Sequence, residues 1–275
     1  MHKRLYASNR VPQILQLNSG CVELDRVQQI QIVVHPRSLV SLTDPGSEGA
    51  EKFRALAIRL KNFQKRQRLR KLLITSSVKG EGKSVISANL AVTLSRWQRT
   101  LLIDCDLHQS GLKDALGGQD QPGLADWWRH SDAVITFLRR VDGLPLWYLS
   151  AGQSMVPPLE LFQSSQFSDM LNQTSRWFDW VILDSPPLLP VADSGALATH
   201  ADGTLLVVRQ RNTPKPLLRE ALKTENLKLL GIVANDWRTS GQRYYSQYYR
   251  GYSPALELRP AENQYLPASI ETDLD

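Results

Sequence analysis

The residues with the clearest chemical potential lie in the segment Thr75–Val85, TSSVKGEGKSV. It ends in Gly-Lys-Ser, residues 82–84, between a short apolar run and a stretch with helical periodicity. Small residues in such a turn let successive backbone amides point at phosphate oxygens, and the start of the following helix adds a partial positive charge. The lysine suits the β- and γ-phosphates, and the serine hydroxyl suits Mg²⁺. The segment therefore predicts a site for a nucleoside triphosphate with magnesium.

Ser77 stands where this loop pattern has its first glycine, a mild change because a small residue is kept. A plain glycine-rich turn is the alternative, and the strand and helix on either side disfavour it. We expect ATP to contact the loop and one asparagine that follows a later strand, whose amide could read an adenine edge or could simply belong to a turn. The predicted nucleotide-binding residues are Lys79, Gly80, Glu81, Gly82, Lys83, Ser84, Val85 and Asn235.

Three aspartates follow two further apolar runs. LLIDCD, residues 101–106, gives Asp104 and Asp106, and WVILD, residues 180–184, gives Asp184. Carboxylates at the ends of neighbouring strands can hold Mg²⁺ and accept a proton from an attacking hydroxyl, although a single aspartate is more often a turn or helix-cap residue. The predicted catalytic residues are Lys83, Asp104 and Asp106, and the predicted metal ligands are Ser84, Asp104 and Asp184.

The elements that must position these residues alternate along the chain. Apolar runs typical of buried strands are separated by helical stretches, and a longer amphipathic helix starting near Glu51 precedes them. This alternation predicts an α/β fold of the P-loop NTPase type, with a mostly parallel central sheet and helices on both faces. The predicted strands are residues 72–76, 100–104, 180–184, 204–208 and 231–235.

The chain divides into three parts by composition. Residues 1–47 form an N-terminal extension without strong periodicity, residues 48–239 form the predicted nucleotide-binding domain, and residues 240–275 form a tail. The first part of the tail lacks the clustered aliphatic residues that a hydrophobic core requires, and this predicts a flexible segment. Five tyrosines stand among its Gln, Ser, Arg and Gly residues: Tyr244, Tyr245, Tyr248, Tyr249 and Tyr252.

Composition excludes several classes of protein. With 275 residues, 42% hydrophobic and 22% charged, the chain is of ordinary globular type. Its two cysteines, Cys21 and Cys105, form no metal-ligand or disulfide pattern. The sequence has neither a secretory signal nor an apolar run of the ~20 residues that a membrane helix requires, so we expect a cytoplasmic protein.

The net charge of +6 is partly local, in KNFQKRQRLRK at residues 61–71 and in RQRNTPKPLLR at residues 209–219. A solvated helix face is the ordinary explanation for such a run, and an acidic partner or anionic lipid headgroups are the alternatives. Nucleic acid is not expected as a partner, because the run contains a single aromatic residue, Phe63, rather than several interleaved ones, and no DNA-reading motif occurs.

The order and spacing of these motifs resemble the cytoplasmic domain of bacterial tyrosine kinases, P-loop proteins of capsule and exopolysaccharide biosynthesis related to the MinD/ParA ATPases. SVKGEGKS, LLIDCD, VILDSPPLLPVAD, LLVVRQ and GIVAN match in sequence order. EKFRAL, GLADWW and LSAGQSMVPPLELF match further family stretches. The resemblance covers roughly residues 44–237.

The resemblance implies an ATP- and Mg²⁺-dependent tyrosine autokinase whose tail tyrosines accept the γ-phosphate. It also implies a membrane polysaccharide co-polymerase, or chain-length determinant, as a separate activator that recruits the kinase to the inner face of the plasma membrane. A tyrosine phosphatase would reverse the modification. A homo-oligomer would form through the helix that carries Glu51 and Arg54.

The sequence departs from the family at several positions. Where relatives have Asp-x-Asp-x-Arg-Arg-Pro, this chain has His108, Gln109 and Ser110 in the last three places, and Lys79 takes the usual proline position of the loop. Ala57 replaces the second arginine of the family's Glu-x-x-Arg-x-x-Arg assembly motif, which weakens the expectation of a ring.

Two other functions remain open from sequence. One is a nucleotide-dependent regulatory ATPase that docks to a polysaccharide co-polymerase without phosphorylating tyrosine, which the changes at residues 108–110 would favour. The other is a MinD/ParA-like positioning ATPase. Val78 stands where those ATPases carry their signature lysine, and this disfavours the second alternative.

Overall fold

A computed structural model of the chain describes residues 24, 27–30, 39–116, 121–130, 132–189 and 191–236. These residues build one eight-stranded sheet with the strand order β1-β4-β5-β3-β6-β2-β7-β8. All neighbouring pairs are parallel except β4 with β5. The strands are β1 Gln29–Ile30, β2 Lys71–Ser76, β3 Thr100–Asp104, β4 Arg139–Val141, β5 Leu146–Leu149, β6 Trp180–Asp184, β7 Gly203–Arg209 and β8 Leu229–Asn235.

Helices connect the strands and cover the sheet. They are α1 Val40–Thr43, α2 Glu48–Arg66, α3 Lys83–Ser95, α4 Gly111–Leu116, α5 Leu124–His130, α6 Pro158–Gln163, α7 Ser165–Trp177, α8 Asp193–His200 and α9 Lys215–Ala221, with a 3-10 turn at Val134–Thr136. Two large apolar clusters lie on opposite faces of the sheet, one around Phe167 and Phe178 and the other around Leu90 and Leu94. Burial on both faces explains why the central strands are continuously apolar. The predicted fold class is confirmed.

The five predicted strands correspond to β2, β3, β6, β7 and β8. The sequence did not reveal β4 and β5, and for β1 it indicated only that VELDRVQQIQIVV, residues 22–34, could supply a strand or two. These strands contain only three, four and two residues, and β4 reads Arg-Arg-Val. Periodicity cannot identify segments this short.

The segment before α2 packs on the predicted nucleotide-binding domain. Leu39 is fully buried, and the Ser41 amide donates to Asn89 Oδ1 of α3 at 3.0 Å. The Ser41 hydroxyl accepts from Thr93 Oγ1 at 3.1 Å. Contacts with the domain thus begin before residue 48. The three-part division of the chain remains a prediction, and the tail residues 240–275 lie outside the described residues.

One carboxylate holds together the two loops that carry GLADWW and LSAGQS. Asp126 at the start of α5 accepts hydrogen bonds from the Gly123 amide at 2.8 Å, the Gln153 amide at 2.9 Å, and the Ser154 amide and hydroxyl at 3.1 and 2.6 Å. A side chain at Gly152 would place its Cβ 2.5 Å from Asp126 Oδ2. Partial burial acts to raise the pKa of Asp126, but the hydrogen bonds together outweigh it and lower the pKa from 3.8.

We therefore expect Asp126→Ala to lower the free energy of unfolding by about 3 kcal/mol at neutral pH, because three backbone amides and a hydroxyl lose their acceptor. The folded-state pKa is depressed, so this stabilisation is present above the unfolded pKa of about 4 and is lost as pH falls through the folded value. Urea titrations at several pH values measure both effects. The exposed Asp132→Ala is the control, and an equal loss in the two variants would contradict the assignment.

Candidate nucleotide site

The predicted site residues converge at the carboxyl edge of the central strands. The loop after β2 lies beside the ends of β6 and, one strand further, β3. In the sheet register Ile74 of β2 is opposite Asp184, and Asp184 is opposite Asp104. Ligands of open α/β sheets bind outside the carboxyl ends of the strands. The fold thus brings the loop and the aspartates from separate parts of the sequence to one place.

Two glycines give the phosphate loop its shape. Gly80 and Gly82 have φ angles of 85° and 90°, a left-handed region that other residues rarely adopt. Gly82 also lies against Asn235 at the end of β8, since a Cβ there would be 2.2 Å from Asn235 Nδ2. Asn235 Nδ2 donates to the Glu81 carbonyl at 2.9 Å. The amide that was predicted to read adenine therefore also ties β8 to the loop.

Glu81 fixes the loop from inside. Its side chain is 2% exposed, and Oε2 accepts from the Ser77 and Val78 amides at 2.7 and 3.2 Å. Oε1 accepts from the hydroxyl of Thr213, which lies in the β7–α9 connection. The sequence indicated Glu81 as a loop residue, but nothing in the sequence indicated that Thr213 is its partner.

The two polar residues that end the loop face the aspartates. Lys83 Nζ forms a 2.9 Å ion pair with Asp106 Oδ2, and both side chains are almost buried. Ser84 is 7% exposed, and its hydroxyl lies near Gly111, where an added Cβ would approach to 2.6 Å. The structure thus brings together the ammonium, the hydroxyl and a carboxylate that the sequence predicted to share one site.

Asp104 and Asp184 are fully buried side by side. Burial and the neighbouring Asp184 charge raise the pKa of Asp104 to about 8. Burial likewise raises the pKa of Asp184 to about 6, although Lys83 acts in the opposite direction. Ser87 of α3 donates to Asp184 Oδ1 at 2.7 Å, while Asp184 Oδ2 has no hydrogen-bond partner. A buried carboxylate oxygen without a partner calls for a proton or a cation.

These residues fit magnesium. Among the described residues no three His, Cys, Asp or Glu side chains are grouped closely enough to hold a metal by themselves. Mg²⁺ is usually held by one or two carboxylates together with phosphate oxygens and water, so this arrangement suits a metal that arrives with a nucleotide. Ser84, Asp104 and the unpartnered oxygen of Asp184 would be the protein groups nearest to it.

The segment that departs from the family has its own contacts. His108 Nε2 lies 2.7 Å from Asp193 Oδ2 at the start of α8. The Ser110 hydroxyl donates to Asp104 Oδ2 and accepts from the Lys113 amide at 3.1 Å, capping α4. Ser87 and Ser110 were not predicted as site residues. The only sequence signals for them were that Ser87 follows Ser84 by one helical turn and that Ser110 precedes a helix.

The helix predicted to mediate assembly begins with an internal ion pair. Arg54 Nε donates to Glu51 Oε2 at 2.6 Å, and Arg54 Nη1 donates to the Pro45 carbonyl at 2.6 Å. Both charged groups are therefore engaged within the protomer. The five predicted acceptor tyrosines lie outside the described residues. Within the described part, no helix combines the length and the low polarity needed to cross a bilayer.

Comparison with known proteins identifies the lineage. A family model described as the CobQ/CobB/MinD/ParA nucleotide binding domain matches residues 72–259. The tyrosine-protein kinase YwqD of Bacillus subtilis is 30% identical over 216 residues, which is 77% of this chain and 91% of YwqD. The chain belongs to the bacterial tyrosine kinase family. The resemblance stated from the motifs is thereby confirmed.

Two further similarities extend this result. The succinoglycan biosynthesis transport protein ExoP of Rhizobium meliloti is 31% identical over 205 residues, covering 72% of this chain but only 26% of ExoP. Among solved structures, the BceF tyrosine kinase domain matches with a TM-score of 0.65 at 27% identity, over 75% of this chain and 82% of that domain. The similar proteins thus include one named for polysaccharide biosynthesis, and the matching family model describes a nucleotide-binding domain.

Gly82→Ala should both destabilise the protein and abolish nucleotide binding, because its Cβ would displace the Asn235 amide from the Glu81 carbonyl. Gly80→Ala is the matched control: it has the same left-handed backbone but no neighbour within 4 Å, and should cost only the backbone term of about 1–2 kcal/mol. Thermal unfolding and calorimetric ADP titration measure the two effects. Gly82→Ala should cost less stability in an Asn235→Ala background, and strict additivity would disprove the contact.

Proposed function

We propose that this chain is a tyrosine autokinase that transfers the γ-phosphate of Mg-ATP to the tail tyrosines of a neighbouring copy and thereby regulates exopolysaccharide synthesis and export. The observation that carries the proposal is the convergence of Lys83, Asp106 and the buried pair Asp104 and Asp184 at the end of the phosphate loop. Membership of the tyrosine kinase family supports it.

The chemistry follows from these groups. Lys83 would bind the β- and γ-phosphates, the loop amides would orient them, and bound Mg²⁺ would neutralise charge that develops on the phosphate oxygens. Ser84, Asp104 and Asp184 would hold the metal. If Lys83 Nζ exchanged Asp106 for a phosphate oxygen, Oδ2 of Asp106 would lose its ion-pair partner. That oxygen could then accept the proton of an incoming tyrosine hydroxyl.

The acceptors would be Tyr244, Tyr245, Tyr248, Tyr249 and Tyr252 of a neighbouring copy. A membrane polysaccharide co-polymerase is proposed as the activator and a tyrosine phosphatase as the opposing enzyme, by analogy with the family. Assembly through α2 would require Arg54 to exchange its internal partners for partners on another subunit, and Ala57 offers no second guanidinium. We therefore propose a weak homo-oligomer.

Phosphotyrosine blotting of the purified chain with Mg-ATP and its activator tests transfer directly. Wild type should give a strong signal, whereas Lys83→Met and a variant with the five tail tyrosines changed to phenylalanine should give none. A wild-type signal no stronger than that of Lys83→Met would exclude the kinase. Retention of ATP binding in that case would favour the regulatory ATPase, which docks to its membrane partner without phosphorylating tyrosine.

Asp184→Asn should weaken Mg-ADP binding about 10–100-fold, because the amide has no negative charge to attract the metal and is a weaker acceptor for metal-bound water. Binding of ADP in EDTA should change much less, since no contact of Asp184 with phosphate is expected. Calorimetry with and without Mg²⁺ separates the two quantities. The exposed Asp142→Asn serves as the control. Equal losses with and without metal would contradict the assignment of Asp184.

A further inference from the structure

The sheet has a second charged edge, at the amino ends of its strands and opposite to the nucleotide site. The residues immediately before β2, β3 and β8 are Arg70, Arg99 and Lys228. The basic run at residues 61–71 lies at this edge, because it spans the end of α2, the short connection after it and the first residue of β2. The fold adds cations from distant parts of the chain to that run.

Two adjoining pockets, of about 660 and about 480 Å³, form this surface and share Arg68 and Arg70. We call it the basic edge, and its cations are Lys65, Arg66, Arg68, Arg70, Lys71 and Arg176. Only two carboxylates line the pockets, Asp179 and Asp202. The basic edge therefore carries a clear excess of positive charge.

Both carboxylates of this surface accept hydrogen bonds from backbone amides. Asp202 Oδ2 accepts from the amides of Arg70 and Lys71 at 2.9 and 2.8 Å, and Asp179 Oδ2 accepts from the Arg99 amide at 3.1 Å. Their role is to fix the starts of β2 and β3. They do not neutralise the side-chain cations by ion pairing.

Most of these cations have no counter-charge among the described residues. Lys65, Arg66, Arg68 and Arg176 are exposed, and none pairs with a carboxylate of the described residues. Lys65, Arg66 and Arg176 lie in the last turns of α2 and α7, where a cation complements the helix dipole. Arg68 lies outside any helix, so helix capping does not account for the whole surface.

Exposed aromatic rings lie next to the basic edge. Phe63 is 40% and Trp97 46% exposed, and Lys61 Nζ lies 4.8 Å from the centroid of the Trp97 ring. The neighbouring Gln98 donates to Gln64, which lines the smaller pocket, at 3.1 Å. A cationic surface bordered by exposed aromatic rings matches the chemistry of a bilayer interface, where headgroups are anionic and rings sit at headgroup level.

We propose that the basic edge docks on an anionic phospholipid membrane. The surface is broad and open, its charges stand on three separate elements, and the described pockets contain no apolar groove that would fix the register of an acidic peptide. Such diffuse attraction suits a charged plane better than a single segment. The docked orientation would turn the nucleotide site and the end of β8 away from the lipid.

Vesicle sedimentation tests the proposal with the full chain and no nucleotide, so the outcome does not depend on phosphate transfer. Wild type should bind phosphatidylcholine vesicles containing phosphatidylglycerol much more tightly than pure phosphatidylcholine, and raising the salt concentration should weaken binding. Arg68→Gln with Arg176→Gln should weaken binding about 25-fold, since each charge near a membrane contributes about fivefold. Neither side chain has a described partner to lose.

Lys52→Gln with Lys215→Gln removes the same charge from the amino-terminal parts of α2 and α9, at the cost of the exposed Lys52–Glu48 ion pair, and should leave vesicle binding within about twofold of wild type. The proposal is overturned if wild type does not distinguish anionic from neutral vesicles, or if the two double variants bind alike. It is also overturned if a poly-glutamate peptide binds the basic edge while vesicles do not. The proposal is likewise overturned if loss of Arg68 and Arg176 lowers the melting temperature, as the removal of Arg176 from the last turn of α7 alone could do, without changing vesicle binding.

Discussion

The site depends on the cost of burying charge. Asp104 and Asp184 lie side by side with no exposed surface, and the described structure gives them one ammonium, on Lys83, that acts against this cost at Asp184. Two adjacent buried carboxylates are costly unless a proton or a cation compensates them. A magnesium ion carried by a nucleotide would supply that cation. The burial that makes the pair unfavourable alone would favour a ligand that brings positive charge to the two carboxylates.

The phosphate loop is held by contacts that reach strands on its far side. The Glu81 carboxylate accepts from the Ser77 amide at the start of the loop and from Thr213 after β7. Asn235, at the end of the edge strand β8, donates to the backbone carbonyl of Glu81. The geometry of the loop therefore depends on the β7–α9 connection, since Glu81 accepts both from Thr213 of that connection and from the Ser77 and Val78 amides of the loop.

Sequence alone indicated which residues converge at the candidate site better than it indicated their partners. The glycine loop and the strand-end aspartates were visible because their chemistry needs particular residue types at strand ends, and strands β2, β3 and β6 are long enough to show an apolar run. The Lys83–Asp106 pair and the Glu81–Thr213 contact were not visible, since they join residues whose separation in sequence carries no pattern. Strands β4 and β5 were missed because three or four residues leave no periodicity.

The opposite chemistry of the two sheet edges follows from the parallel topology. In a parallel sheet all strands end together, so aspartates that follow β3 and β6 must share one edge, and arginines that precede β2 and β3 must share the other. Charges that are scattered along the sequence are thereby separated in the fold, with aspartates at one edge of the sheet and arginines at the other. The run at residues 61–71 shows this: as a helix-end sequence it is ordinary, but the fold places Arg176, more than 100 residues later, beside Arg68 on one surface. Because helix solvation alone requires no such convergence, the presence of Arg68 and Arg176 in the lining of one pocket is the feature that best supports the proposed docking surface.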